Sequence, residues 1–160
     1  MNWREAFIEQ ARSDNRIRKL LNKEGVEYAH QLHYVQMTTE KLARGFLANP
    51  QNQPGNTHVG FVRYLQVLKG RPEIRRQLGY KDPAVFTSYV NSLLPLARDV
   101  ERLAPALAGR TSPNPEYPWQ DSHCGDVLVP ATFHFPMFSQ RDTQMTKLMK
   151  LLDSLLEIAI

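Results

Sequence analysis

A chain of 160 residues, 42% hydrophobic and 22% charged, has the length and composition of one soluble domain around one core. A single cysteine, Cys124, excludes an internal disulfide framework and any multi-cysteine metal site, and no apolar run approaches the roughly 18 residues of a membrane helix. With no apolar signal core in the opening "MNWREAFIEQ", the expected location is cytoplasmic, away from membranes.

A first helix is predicted over 3–24. Its stripe of Trp3, Phe7, Ala11, Ile17, Leu20 and Leu21 lies near the 3.6 period, and Gly25 closes it as a C-cap residue. A second helix, over 26–48, carries a seam of Leu32, Val35, Thr39, Leu42 and Phe46 at alternating three- and four-residue steps. Its other side holds His30, His33, Met37, Glu40, Lys41 and Arg44. "NPQNQPGN" then reads as a loop, a third helix as 57–69, and a short helical piece falls between Gly70 and Gly79. Asp82 and Pro83 mark the start of a further helix, as N-cap and first position. Its stripe from Phe86 through Val90, Leu93, Ala97, Val100 and Ala104 to Leu107 runs on through Pro95, which predicts one kinked helix. The last helix starts at the capping-box-like "SQRD", Ser139 to Asp142, and runs to the C-terminus. Its apolar residues, Met145 to Ala159, cover about half the circumference. That arc is wider than an outer bundle helix buries, so the helix is either central or covered by a second chain.

Charge is unevenly spread. Between Arg63 and Lys81 six cations face Glu73 alone, a net +5 within a chain at +4 overall. Arg71, Arg75 and Arg76 are therefore the candidate contacts to a phosphate backbone, weighed against an ordinary solvated surface. The region 109–137 is a proline- and aromatic-rich insert, net −2 up to Pro136. Val127 to Val129 and the segment around Phe133 and Phe135 have strand character, but flanking prolines argue against a real sheet. In "NPEYPW" the prolines stiffen the backbone, and Tyr117 and Trp119 are expected to pin the insert to the bundle. Such a loop can hold Glu116, Asp121, His123, Cys124 and Asp126 in fixed positions. Cys124 is disfavoured as a nucleophile, since neighbours in sequence seldom point at its sulfur. His30, His33 and Glu40 share a helix side, yet nothing marks a further metal ligand, so no metal and no cofactor are expected. No phosphate-binding glycine loop or nucleophile elbow occurs.

"AHQLHYVQMTTEKLARGFL" (29–47) resembles the second-helix signature of the HEPN superfamily (higher eukaryotes and prokaryotes nucleotide-binding), with "TTEKLARGFL" carrying the likeness. "REAFIEQARSDNRIRKLLNKEG" is similar to the opening helix of that family, and "NPEYPW" to its tyrosine-proline step. The resemblance implies an all-α, up-and-down bundle of four to five helices over 1–160, a homodimer, and a setting in defence, toxin–antitoxin or nucleotidyltransferase-linked systems. Many members of the superfamily cut RNA with an arginine followed a few residues later by a histidine. Here none of His30, His33, His58, His123 and His134 has an arginine at that distance upstream. The expectation is a dimeric module binding RNA, single-stranded DNA, or a nucleotidyltransferase or antitoxin partner. The alternative is a metal-independent ribonuclease toxin using a site in the insert, His123 with Glu116, Asp126 or Arg110.

Overall fold

The computed structural model describes residues 1–48, 59–108 and 112–158. Its architecture is all-α: α1 (Trp3–Lys23), α2 (Tyr28–Leu47), α3 (Phe61–Leu68), α4 (Pro72–Gln77), α5 (Pro83–Arg102), α6 (Pro105–Ala108), α7 (Pro136–Ser139) and α8 (Asp142–Ile158). Between α6 and α7 lies a small antiparallel pair, β1 (Trp119–Gln120) and β2 (Val127–Leu128), then a short 3-10 turn at Pro130–Thr132. The antiparallel α1–α2 hairpin is the most extensive interface, with α3, α5 and α8 closing the core.

Local chemistry sets the helix ends. Asn2 and Glu5 form a capping box at the start of α1, each side chain accepting from the other residue's backbone N–H. At its other end Gly25 takes φ +66°, while the Val26 and Gly25 N–H groups donate to the Leu21 and Asn22 carbonyls. Asp82 accepts from Ala84 N–H at 2.7 Å, with Pro83 at the first position of α5. Glycine caps α3 without a side chain, so Glu101 of α5 supplies the acceptor, 2.9 Å from Val62 N. Burial pushes the Glu101 carboxyl up, against the lowering pull of the Val62 and Phe61 backbone N–H groups and of Arg98.

The α2 seam is as predicted at Leu32, Val35, Thr39 and Leu42, which are buried, while Phe46 is only half-buried. Helix α5 continues through Pro95, whose ring faces solvent, but it stops at Arg102. Pro105, lacking an N–H, opens the separate α6, and Leu107 is exposed rather than part of the buried stripe. Ser139 belongs to α7, and α8 begins at Asp142 without the expected capping box. Leu148, Leu151, Leu152, Leu155 and Leu156 are all buried by the rest of the same chain, whereas Met145, Met149 and Ile158 of the predicted arc are only half-buried and Ala159 lies outside the described residues. The predicted start of the third helix at Thr57 lies outside the described residues.

Helix α1 departs most from its apolar pattern. Trp3, Ile17 and Leu20 are exposed, and the buried face reads Ile8, Ala11, Asp14, Asn15, Arg18. These polar residues find partners on the neighbouring helices. Lys41 of α2 meets Asp14 at 2.5 Å. Asn15 Nδ2 donates to Asp153 of α8 at 2.7 Å, and Arg18 donates to Asn15 and to Asp153 at 2.8 and 3.2 Å. Arg12 donates from Nε and Nη2 to the Leu156 carbonyl, both at 3.0 Å, near the C-terminal end of α8.

A glycine allows the α1–α2 approach. A Cβ on Gly45 would lie 2.7 and 2.8 Å from Ile8 Cδ1 and Cγ1, and 3.3 Å from the Arg4 carbonyl. Ile8 is itself buried, so it has little room to retreat. Gly45→Ala should therefore destabilise the protein by ~1–3 kcal/mol, despite the better helix propensity of alanine. In an Ile8→Ala background the same change should be neutral or stabilising, since the clash is gone. Denaturant midpoints of the four proteins check this; additive costs would contradict the clash.

Glu101 gives a second outcome. Its folded carboxyl binds a proton more readily than in the unfolded chain, so its ionisation costs stability as pH rises through the folded value. Glu101→Gln should equal or exceed the parent in stability at neutral pH. That advantage should shrink as pH falls toward the ordinary carboxylate range. Glu101→Ala, which leaves α3 uncapped, should cost ~1 kcal/mol at neutral pH.

Candidate functional site

The structure divides the acidic and histidine residues of the insert between two places. Asn114 is buried, and its Oδ1 accepts from the Glu116 and Tyr117 N–H groups at 3.1 and 2.8 Å, bending the chain into β1. That bend puts Glu116 Oε1 3.2 Å from His33 Nδ1 of α2. Beyond β1 the chain turns back at 121–126. Asp121 Oδ1 accepts from the His123 and Cys124 N–H groups at 2.7 and 3.1 Å, and these donors hold its carboxyl below the usual range. His123, Cys124 and Asp126 lie exposed on this turn, past the strand pair from Glu116. A backbone hydrogen bond at Asp126 lowers the Cys124 thiol, but the Asp126 side chain and the Asp121 and Asp126 charges outweigh it and raise the thiol overall, the opposite of an activated nucleophile. Arg110 lies outside the described residues.

The anchor of the insert is Trp119, only 3% exposed, edge-on to Phe133 at 4.8 Å and tilted against Phe135 at 6.1 Å. Phe135, fully buried, adopts φ +40°, a left-handed conformation that packing must hold in a non-glycine residue. Tyr117 does not share the anchoring: it is 60% exposed. The side of α2 opposite its seam is also engaged within the chain. His33 faces Glu116, Lys41 faces Asp14, and Arg44 pairs with Glu40 at 2.8 Å and lies 5.7 Å over Phe7. His30 is exposed. Among the described residues no group of three histidine, cysteine or acidic side chains is placed to hold a metal.

The basic stretch contains a more organised site. Arg75 is committed to structure, its Nη1 donating to the Tyr80 carbonyl at 2.7 Å and to the Lys81 carbonyl. Arg76 is exposed. Arg71 lines a cavity of about 280 Å³ together with Arg4, Phe46, Tyr64 and Gln77. The Arg4 guanidinium lies 5.3 Å over the Phe46 ring, and Phe46 stacks on Tyr64 at 4.8 Å. Tyr64 is 2% exposed, and its hydroxyl has no hydrogen-bond partner among the described residues. Burial drives this phenol well above its usual range, while the Arg4 and Arg71 charges pull the other way. Two cations thus sit by an unpaired hydroxyl, an arrangement suited to an oxyanion. Among the described residues Glu73 is the one acid at the cavity, 3.9 Å from Arg71 and exposed. Sequence reasoning found Arg71 but missed Arg4 and Tyr64, because nothing in the pattern relates residue 4 to residue 71.

Substitutions separate anchor from site in the insert. Trp119→Ala should cost ~3–5 kcal/mol in stability, since it empties a buried aromatic cluster. Tyr117→Ala and His123→Ala should each stay within about 0.5 kcal/mol of the parent in thermal or denaturant unfolding. A large loss from Tyr117→Ala would restore it as an anchor.

Comparison with protein-family models, with curated proteins and with solved structures gave no match.

Proposed function

We propose that this protein is a helical binding module for phosphate-bearing strands, single-stranded RNA or DNA, gripped at the Arg4–Tyr64–Arg71 cavity with Arg76 on the approach. The observation that carries this reading is the buried Tyr64 hydroxyl, unpaired among the described residues and close to two guanidinium charges. An unpaired buried hydroxyl costs about 1–3 kcal/mol. A phosphate oxygen supplies the missing acceptor, and Arg4 and Arg71 supply the charge that draws it in. The net +5 of the segment 63–81 adds attraction at longer range. The resemblance of 29–47 to HEPN helices, and the helical architecture itself, agree with a module of this kind but do not choose its ligand. The insert gives less support to a ribonuclease, because Glu116 is turned to His33 while His123 and Asp126 sit on the exposed turn.

The test is fluorescence anisotropy with single-stranded RNA and DNA oligonucleotides across a salt series. Affinity should fall steeply with salt, and Arg71→Glu with Arg76→Glu should abolish binding in a folded protein. A single neutral Arg71→Gln should lower the logarithmic salt slope by about 0.7 if one phosphate contact is lost. Tyr64→Phe should raise stability by ~1 kcal/mol, by removing the unpaired hydroxyl, and should weaken binding. Absence of binding at low salt, or binding that survives the double reversal, would show that the basic segment is only surface.

A further inference from the structure

A second concavity, about 470 Å³, runs between α1, α2 and α8, in the size range of small-molecule sites. It follows α8 from Asp142 to Asp153, a length of about 16 Å at the helical rise. Its middle is apolar: Leu32 and Val35 of α2 form a buried floor, and Met145 and Met149 of α8 flank it. Its two ends differ in charge. Asp142 lies at one end near Tyr28, whose phenol is pushed up to about 12 by burial and by the Asp142 charge, and so stays neutral. At the other end Arg18, Lys19 and Lys150 gather around Asp153.

That end is short of negative charge. Asp153 Oδ1 alone receives Asn15, Arg18 and Lys19, at 2.7, 3.2 and 3.1 Å. Lys150 makes no ion pair among the described residues. Two cations therefore share one carboxylate with Lys150 unpaired beside them, although Arg18 is only 8% exposed. Among the described residues Arg18 Nη1 makes no hydrogen bond, since Nε serves Asn15 and Nη2 serves Asp153. Burial pulls the Arg18 guanidinium below its ordinary value, against the opposing pull of Asp153. A desolvated cation with a free donor, beside two lysines, is complementary to an acid group.

The geometry points to a binding site for a small amphipathic organic acid, its anionic head between Arg18, Lys19 and Lys150 and its apolar body along Leu32, Val35, Met145 and Met149. Methionine thioethers adapt to the shape of such a body. Asp142 at the far end disfavours a ligand with a second negative charge there. The site is separate from the Arg4–Tyr64–Arg71 cavity and does not rest on the phosphate reading.

Titration calorimetry with decanoate and with decyltrimethylammonium, two probes with the same tail and opposite heads, tests it directly. Decanoate should bind at one site per chain and raise the melting temperature; the ammonium should do neither. Lys150→Glu alters an exposed side chain with no ion pair among the described residues, so the fold should persist, and decanoate affinity should fall about tenfold or more. Arg71→Glu, at the other cavity, should leave decanoate binding unchanged. The proposal is overturned if decanoate does not bind, if the ammonium binds equally well, or if Lys150→Glu binds like the parent. It is also overturned if Arg71→Glu weakens decanoate as much, which would place the acid in the phosphate cavity.

Discussion

The bundle depends on how α1 is seated. Its buried face presents Asp14, Asn15 and Arg18, so the helix is held by a chain of charges and amides linking Lys41 of α2 to Asp153 of α8. Apolar packing tolerates small slips in register, because one methyl group replaces another. A polar face does not, since each displaced group loses its partner and keeps its desolvation cost. Removing one partner of such a buried pair costs about 3–5 kcal/mol, whereas an apolar replacement of the whole set can be neutral. The seam therefore fixes where α1 sits more than it adds to net stability. Gly45 makes the same demand by geometry: it lets Ile8 and the α1 backbone come closer than any side chain would allow.

This explains what could be read from the sequence and what could not. The α2 and α5 stripes were legible because their buried faces are apolar, and apolar periodicity is the signal that a sequence displays. The caps at Asp82 and Gly25 were legible because they are local, needing one side chain or one positive φ. The α1 stripe misled. Trp3, Ile17 and Leu20 follow the helical period, yet they face outward, and the inward face looked like a surface until Asp153 and Lys41 arrived from 138 and 27 residues away. The end of α5 was missed for a different reason: the stripe continues to Leu107, and a helix break at Pro105 does not disturb the spacing of apolar residues.

The insert shows the same division. Trp119 could be recognised as an anchor, since a large aromatic among prolines has few other uses, and it is buried against Phe133 and Phe135. Closeness in sequence was a poor guide to the candidate site, however. Glu116 and His123 are only seven positions apart, but β1 between them sends one to α2 and the other to an exposed turn. Both organised cavities draw on residues distant in sequence: Arg4 with Arg71, and Arg18 with Lys150. Converging charge of this kind is invisible in any local window.

Helix α1 joins the two cavities. Arg4 belongs to one and Arg18 and Lys19 to the other, about 21 Å apart along a single rigid element. The proposed acid in the groove would compete with Asp153 for Arg18 and Lys19, and so act on the contact that seats α1 on α8. The same helix places Arg4 over Phe46 beside Tyr64. On the two proposals together, any effect of one ligand on the other would pass through the seating of α1 and would be equal in both directions.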